Sequence, residues 1–244
     1  MDTSLNKYIS ESGFCSRRKA DEYIEQCRVT INDKDAHKGN RVKPGDVVKI
    51  DGEPIRKKQA AVYILLNKPK GITCTTDRKD KTNIIDFVNY KQRIFPIGRL
   101  DKLSEGLIFL TNDGDIVNKI LRAGNGHEKE YIVTTEQPLD FAAIDKLRNG
   151  IKILGTKTLP CFVKQEAPNR FRIILTQGLN RQIRRMCEAI GHRVTSLKRV
   201  RIMHITMGNL ASGHWRYFTK PELEAIQQLL ADSSNQPNED GMGE

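Results

Sequence analysis

Apolar residues recur along this chain in two periods, and the alternation between them lays out its elements. Near the start, Leu5, Tyr8 and Ile9 mark one face of a short helix that Gly13 can end. Ser16 is a good N-cap for a second helix, whose Ala20, Tyr23, Ile24 and Cys27 fall at i, i+3, i+4 and i+7. Val29 to Ile31, and then Val42 to Ile50 around the Lys43-Pro44-Gly45-Asp46 turn, read as short strands in a β-hairpin. Ile55 to Ala61 reads as a linker. Val62 to Leu66 is a compact apolar strand that Asn67-Lys68-Pro69-Lys70-Gly71 ends. Thr73 to Thr82 is loop-like, and Ile84 to Val88 predicts a short helix.

Phe95 to Gly114, FPIGRLDKLSEGLIFLTNDG, organises the middle of the chain. Pro96 and Gly98 read as turn residues, Leu107 to Leu110 as a buried strand, and Asn112-Asp113-Gly114 as the next turn. Asp101 therefore lies on a loop leading into the core, two residues from Arg99. Asp115 leads a helix bearing Ile116, Val117, Ile120 and Leu121, which Gly124-Asn125-Gly126 breaks. His127 to Val133 enters a strand in which Tyr131 alternates with Val133. Phe141 to Leu147 is helical in pattern, and Phe162-Val163 and Phe171 to Leu175 are strands about an Ala167-Pro168-Asn169 turn.

A further helix starts at Gln177 to Asn180. Ile183, Met186, Cys187 and Ile190 face its core side, with Arg181, Arg184 and Arg185 on the other and Gly191 at its end. Gly208 to Trp215 reads as a loop and strand, and Pro221 opens a last helix to Leu230. Residues 231–244 are polar and acidic, and a disordered tail is expected.

Charge sharpens this picture. The net charge is +3 over residues 1–58, +12 over 59–230 and −4 over 231–244, so the excess lies in the middle of the chain. A polyanion, and nucleic acid first among them, is the natural partner. Arg17, Arg18 and Lys19 crowd the first turn of the second helix, where the helix dipole disfavours cations, and phosphate contact accounts for them. A solvated basic turn is the alternative. Five scattered cysteines without a C-x-x-C pair suggest reduced thiols, and the histidines show no metal spacing. No metal and no cofactor are expected. No apolar run approaches the roughly 20 residues of a membrane helix, and MDTSLNKYIS lacks the apolar core of a signal peptide. A cytoplasmic protein without membrane contact is expected.

Residue type alone leaves Asp101 open as a turn cap and Tyr131 as a core residue. Whole blocks carry more. LNKYISESGFCSRRKADEYI, RVTIN and VKPGDVV together resemble the ribosomal-protein-S4-like RNA-binding fold. Cys27 and Asp33 stand where that family usually has glycine, which puts the local turns in question. FPIGRLDKLSEGLIFLTNDG resembles the signature loop of pseudouridine synthases, HEKEYIV their second motif, and NRQIRRMCEAIGH with LKRVRI their third. In that order they resemble the small-subunit/large-subunit rRNA pseudouridine synthase family. NKILRAGNGHEKEYIV and RIILTQGLNRQIRRMCE carry a closer likeness to its enzymes of bacterial 23S rRNA.

The resemblance implies an α+β chain with a small S4-like RNA-binding domain and linker in 1–58. A catalytic domain in 59–230 would follow, with a central, mostly antiparallel sheet and an active site in a cleft across it. It implies Asp101 as nucleophile, Arg184 as its partner, Tyr131 against the target base and Leu197 beside the pocket. Arg17, Arg18, Lys19, Arg99, Arg181, Arg185, Lys198, Arg199 and Arg201 are the candidate RNA contacts. The expected partner is RNA, 23S rRNA first and tRNA next, bound by a monomer. A non-catalytic S4-like ribosome-assembly protein would not need Asp101, Tyr131 and Arg184. An RNA methyltransferase would need a glycine-rich cofactor loop, and the chain has no G-x-G-x-x-G.

Overall fold

Both helix starts near the N-terminus follow from the apolar pattern, and the chain, seen as a computed structural model, is described over residues 2–55, 59–121 and 126–231. It divides into two units, Met1–Val62 with Tyr90–Ile94 and Asn112–Gly114, and Tyr63–Asn89 with Phe95–Thr111 and Asp115–Glu244. The linker cations Arg56, Lys57 and Lys58, the expected helix break at Gly124-Asn125, and tail residues 232–244 lie outside the described residues.

The first unit runs β1 (Thr3–Ser4), α1 (Leu5–Glu11), α2 (Arg17–Glu25), β2 (Val29–Ile31), β3 (Lys34–Asp35), β4 (Arg41–Val42), β5 (Val48–Ile50) and β6 (Glu53–Pro54). Ser16 starts α2 as its pattern predicts, with extended backbone and a hydroxyl that accepts from the Lys19 N–H. Leu5, Ile9, Ala20, Ile24, Val29 and Val48 bury together between helices and strands.

Two readings change here. The expected antiparallel pairing of Val29–Ile31 with the Val42–Ile50 segment forms through Val48–Ile50, but Arg41–Val42 leaves that sheet before the Lys43–Asp46 turn. β4 pairs with β1, while β5 lies between β2 and β6 in a β3-β2-β5-β6 sheet. Asp46 explains the divergence, because one carboxylate oxygen accepts from Lys43 N–H and the other from Asn32 Nδ2, tying the turn to the β2–β3 connection. Cys27 is exposed and off the apolar face, since α2 stops at Glu25 and Cys27 takes φ 53°. Asn32 and Asp33 are also left-handed, at φ 51° and 61°, as a two-residue hairpin turn of this hand requires. The turns keep the glycine-type backbone without glycine at either position.

The second unit continues with β7 (Tyr63–Lys68), α3 (Ile84–Val88), β8 (Phe95–Ile97), β9 (Glu105–Thr111), α4 (Gly114–Leu121), β10 (Lys129–Thr135), α5 (Phe141–Asn149), β11 (Lys152–Ile153) and β12 (Thr156–Lys157). It closes with β13 (Phe162–Ala167), β14 (Arg170–Leu175), α6 (Gln182–Ala189), β15 (Val194–Ile202), β16 (Ile205–Thr206), β17 (Trp215–Tyr217) and α7 (Lys220–Ala231). One sheet orders them β13-β14-β10-β15-β9-β7-β17, with β8 beside β9 and β16 beside β15. The pairs are antiparallel except β15 with β9, in agreement with the mostly antiparallel sheet expected. Pro96 is not in a turn. It sits in β8 opposite Leu110, on a strand that among the described residues pairs with β9 alone, where a missing N–H is tolerated.

Apolar side chains fill two cores. Val133, Phe171, Ile173, Ile183, Met186 and Leu197 pack with α5 and α6, and Leu65, Leu107, Phe109, Ile120, Ile202 and Ile226 pack with α4 and α7. The parallel junction between them depends on Gly106. It has φ +104°, and a Cβ there would stand 2.2 Å from the Arg199 carbonyl oxygen.

Candidate active site

The loop after β8 turns at Gly98, whose φ is +77°. Leu100 then buries, its N–H 3.4 Å from Cys74 Sγ, and Ser104 N–H donates to the Asp101 carbonyl at 2.9 Å before β9 begins. This closed turn leaves the Asp101 carboxylate 33% exposed.

Two guanidinium groups approach that carboxylate. Arg184 Nε lies 3.6 Å from Asp101 Oδ2 on the buried side, and Arg181 Nη1 lies 3.5 Å from the same oxygen on the open side. Arg184 is held by the protein itself, donating from Nη1 to the Val194 carbonyl at 3.2 Å and from Nη2 to Ser104 Oγ at 3.2 Å. Burial pushes its guanidinium down from the ordinary arginine value, and the Asp101 charge opposes that shift.

The sequence pattern put Arg181, Arg184 and Arg185 on one outer helix face, and the fold separates them. α6 starts at Gln182, after Arg181 in a left-handed conformation at φ 51°. Arg184 turns into the interior at 7% exposed. Arg185 folds back onto Asn180, donating to its carbonyl at 3.1 Å and its side-chain oxygen at 3.2 Å.

Tyr131 rises from β10, between β14 and β15, with a register shift at Glu130/Tyr131 beside it. Leu197 is buried in the core against which Tyr131 packs. Asp101, Tyr131 and Leu197 all line a cleft of about 100 Å³, with Arg99, Arg181, Gln177 and Gln182. Arg184 sits behind Asp101 rather than on the cleft wall.

The other candidate contacts divide. Arg17, Arg18 and Lys19 are exposed on α2, and Arg99 is exposed at the cleft. Lys198 is half-buried on β15. Arg199 and Arg201 are engaged within the protein. Arg199 is 4% exposed and its Nε donates to the Leu107 carbonyl at 2.7 Å, across the β15–β9 junction. Arg201 spends its guanidinium on Glu130, Glu128 and the Met203 carbonyl. Their alternation with Lys198 gave no warning, because Leu107, Glu128 and Glu130 come from distant segments.

Sequence reasoning missed several residues of this region. Lys68 is fully buried at the end of β7, where its ammonium donates to the Pro69 carbonyl at 2.9 Å and the Ile72 carbonyl at 2.8 Å. Burial pushes it down, and the charges of Cys74, Asp101 and Glu105 oppose this. A lysine after an apolar run is ordinarily exposed, so nothing in the sequence marked it. Lys129, read only as part of a motif, is pushed down to about 8 by burial and by Arg199. Among the described residues no group of three or more His, Cys, Asp or Glu is arranged to hold a metal ion.

Residues 62–189 match the RNA pseudouridylate synthase family and residues 3–48 match the S4 domain. The chain belongs to the RNA pseudouridylate synthase family. It is 56% identical over 234 residues to the dual-specificity RNA pseudouridine synthase RluF of Escherichia coli strain K12, covering 95% of this chain and 81% of that protein. It is 34% identical to the ribosomal large subunit pseudouridine synthase B of Bacillus subtilis strain 168, over 95% of this chain and 98% of that protein. A crystal structure of a pseudouridylate synthase superposes with a TM-score of 0.67 at 27% identity, covering 91% of this chain and 99% of that one. The pseudouridine synthase is thus an enzyme that isomerises uridine in RNA, built on an S4 module and a large, mostly antiparallel sheet. No helix among the described residues is long and apolar enough to cross a membrane.

Proposed function

We propose that this enzyme converts specific uridines of bacterial 23S rRNA to pseudouridine, with Asp101 as nucleophile, Arg184 as its charge partner and Tyr131 against the base. The observation that carries the assignment of roles is the Asp101 carboxylate at the mouth of a cleft, flanked by two arginines and facing a tyrosine wall. The large-subunit name of the Bacillus subtilis relative supports a large-subunit rRNA target.

The chemistry follows from bond bookkeeping. The bond from the sugar carbon to ring nitrogen 1 breaks, the detached uracil turns, and a bond to ring carbon 5 forms. Carbon 5 gives up a proton and nitrogen 1 gains one, so nothing is oxidised or added. Asp101 supplies an ionised carboxylate as nucleophile when the sugar loses its base. Arg184, fixed by Val194 and Ser104, holds that charge in a partly dry site. The base has to leave its stack to enter the cleft. Tyr131 stacks on it and its hydroxyl serves proton transfer, while Arg99 takes the space left in the RNA.

In this reading residues 1–58 are the RNA anchor, with Arg17, Arg18 and Lys19 on phosphates, and 59–230 are the catalytic domain followed by an acidic tail. Arg181, Arg185 and Lys198 add RNA contacts near the cleft. In this reading the enzyme acts in the cytoplasm as a monomer. RNA labelled with tritium at carbon 5 of uracil tests the reaction. The label should pass to water without any added donor and with the RNA otherwise unchanged in mass. Release that needs a methyl donor, or no release from 23S rRNA and tRNA, would overturn the reading.

A further inference from the structure

Gln177 and Gln182 form a short chain of amides along one wall of the cleft. Amide oxygen and nitrogen are assigned from their partners, and here a backbone N–H decides each one. Leu179 N–H donates to one end of the Gln182 side chain at 3.0 Å. An N–H cannot donate to an NH2 group, so that end is oxygen and the other end is a donor. The donor end, Nε2, lies 3.3 Å from Gln177 and 3.9 Å from Met186 Sδ. Leu159 N–H meets the same Gln177 atom at 3.2 Å. That atom is therefore Gln177 Oε1, doubly engaged by Leu159 N–H and Gln182 Nε2. Among the described residues Gln177 Nε2 donates to nothing. Gln182 is 5% exposed, which locks the relay from behind. The free end of Gln177 is a donor, and the relay prevents it from flipping to present an acceptor.

Resting on the synthase reading above, we infer that Gln177 is a specificity residue whose NH2 donates to the oxygen on carbon 4 of the bound uracil. Uracil carries an acceptor there, and cytosine carries an amino group. Cytosine would set two donors against each other, whereas uracil completes the relay. A site built to hydrogen-bond one substrate group rejects an analogue lacking it far more strongly than an apolar pocket does. On the reading above, Asp101 and Tyr131 serve the reacting sugar and the ring face, and recognition at carbon 4 falls to a separate residue. Gln177 lines the same cleft with a donor of fixed sense.

The experiment uses the full chain and the shortest 23S rRNA fragment from which the wild type releases tritium. Asp101→Asn, alone and combined with Gln177→Glu or Gln177→Met, is titrated with that fragment carrying uridine or cytidine at the target position. Without Gln177 changes, uridine should be preferred by roughly 10-fold or more. Both Gln177 variants should bring the two affinities within about twofold while binding of bulk RNA holds. In the otherwise wild-type enzyme, Gln177→Glu should lower kcat/KM by about 10- to 100-fold. Gln177→Met preserves length without charge, so it answers for a Glu variant that folds poorly. An unchanged uridine preference in both variants overturns the role of Gln177 alone. Failure of the wild type to release tritium from any 23S rRNA fragment overturns the synthase reading, and the inference falls with it.

Discussion

Arg184 Nε points at Asp101 Oδ2 from 3.6 Å, just beyond hydrogen-bonding distance, and among the described residues that buried Nε has no hydrogen-bond partner. A buried N–H left unpaired costs free energy, and a shift of a few tenths of an ångström would pair it. Val194 and Ser104 hold the guanidinium from the other side, and Arg181 meets the same carboxylate oxygen at 3.5 Å, so two cations share the Asp101 charge.

Asp101→Asn should therefore lower the single-turnover rate by about four orders of magnitude, while folding and RNA affinity stay near wild type. Binding draws on a spread basic surface and only the chemical step needs the charge. Filter binding and single-turnover tritium release on one rRNA fragment measure the two separately. A near-normal rate would remove Asp101 from the reaction. Arg184→Met should cost both rate and stability, because it also unties Val194 and Ser104.

Gly106→Ala should destabilise the second unit by more than about 2 kcal/mol. The new methyl would meet the Arg199 carbonyl at 2.2 Å, and φ +104° is strained for any L side chain. Neither strand can yield without losing the parallel β9–β15 contact on which the Asp101 loop depends. Thermal unfolding measures this, and a melting temperature within a degree of wild type would contradict it.

Arg17→Ala with Arg18→Ala should weaken binding to structured rRNA and reduce the salt dependence of log K by roughly 1 to 2. Both side chains are exposed on a first turn that carries no acid. Activity on a short RNA that fills only the cleft should be unaffected. An unchanged salt slope would mean that this turn does not touch phosphate.

What the sequence revealed depended on how local each cause was. Ser16, Ile84 to Val88 and the alternation in β14 act within a few residues, and each formed as its pattern predicts. The resemblance pairs Arg184 with Asp101, whereas helical periodicity alone puts it on the outer face, and the side chain turns inward to within 3.6 Å of Asp101. Its real direction is fixed by Val194 and Ser104, ten and eighty residues away. Arg199 and Arg201 were hidden for the same reason, since Leu107, Glu128 and Glu130 lie on other segments. Lys68 bonds locally, to the Pro69 and Ile72 carbonyls, and it is its complete burial that the local pattern does not show. The β1–β4 pair was illegible because two-residue strands carry no period.

The start of α7 yields a pH prediction with a definite sign. Thr219 and Glu222 form a reciprocal cap, Thr219 N–H donating to Glu222 Oε2 at 2.8 Å and Glu222 N–H to Thr219 Oγ1 at 3.4 Å. Arg216 adds a two-pronged pair, Nη1 to Oε2 and Nη2 to Oε1, each at 2.7 Å. Together, Arg216 first, they hold the Glu222 carboxyl at about 2, well below its ordinary 4.5. A carboxyl depressed by folding binds fewer protons in the folded than in the unfolded chain between those two values. Its stabilisation is complete above pH 4.5 and is lost as pH falls through 4.5 towards 2. Glu222 is 21% exposed and Arg216 35%, so solvent screening leaves on the order of 2 kcal/mol. Glu222→Gln should melt below wild type at pH 6, and the gap should close steadily down to pH 2.5. The paired melting curves isolate this group, because every other titration is common to both proteins. A gap that keeps its size at pH 2.5 would mean that the carboxylate charge contributes nothing and that the cap alone holds the helix.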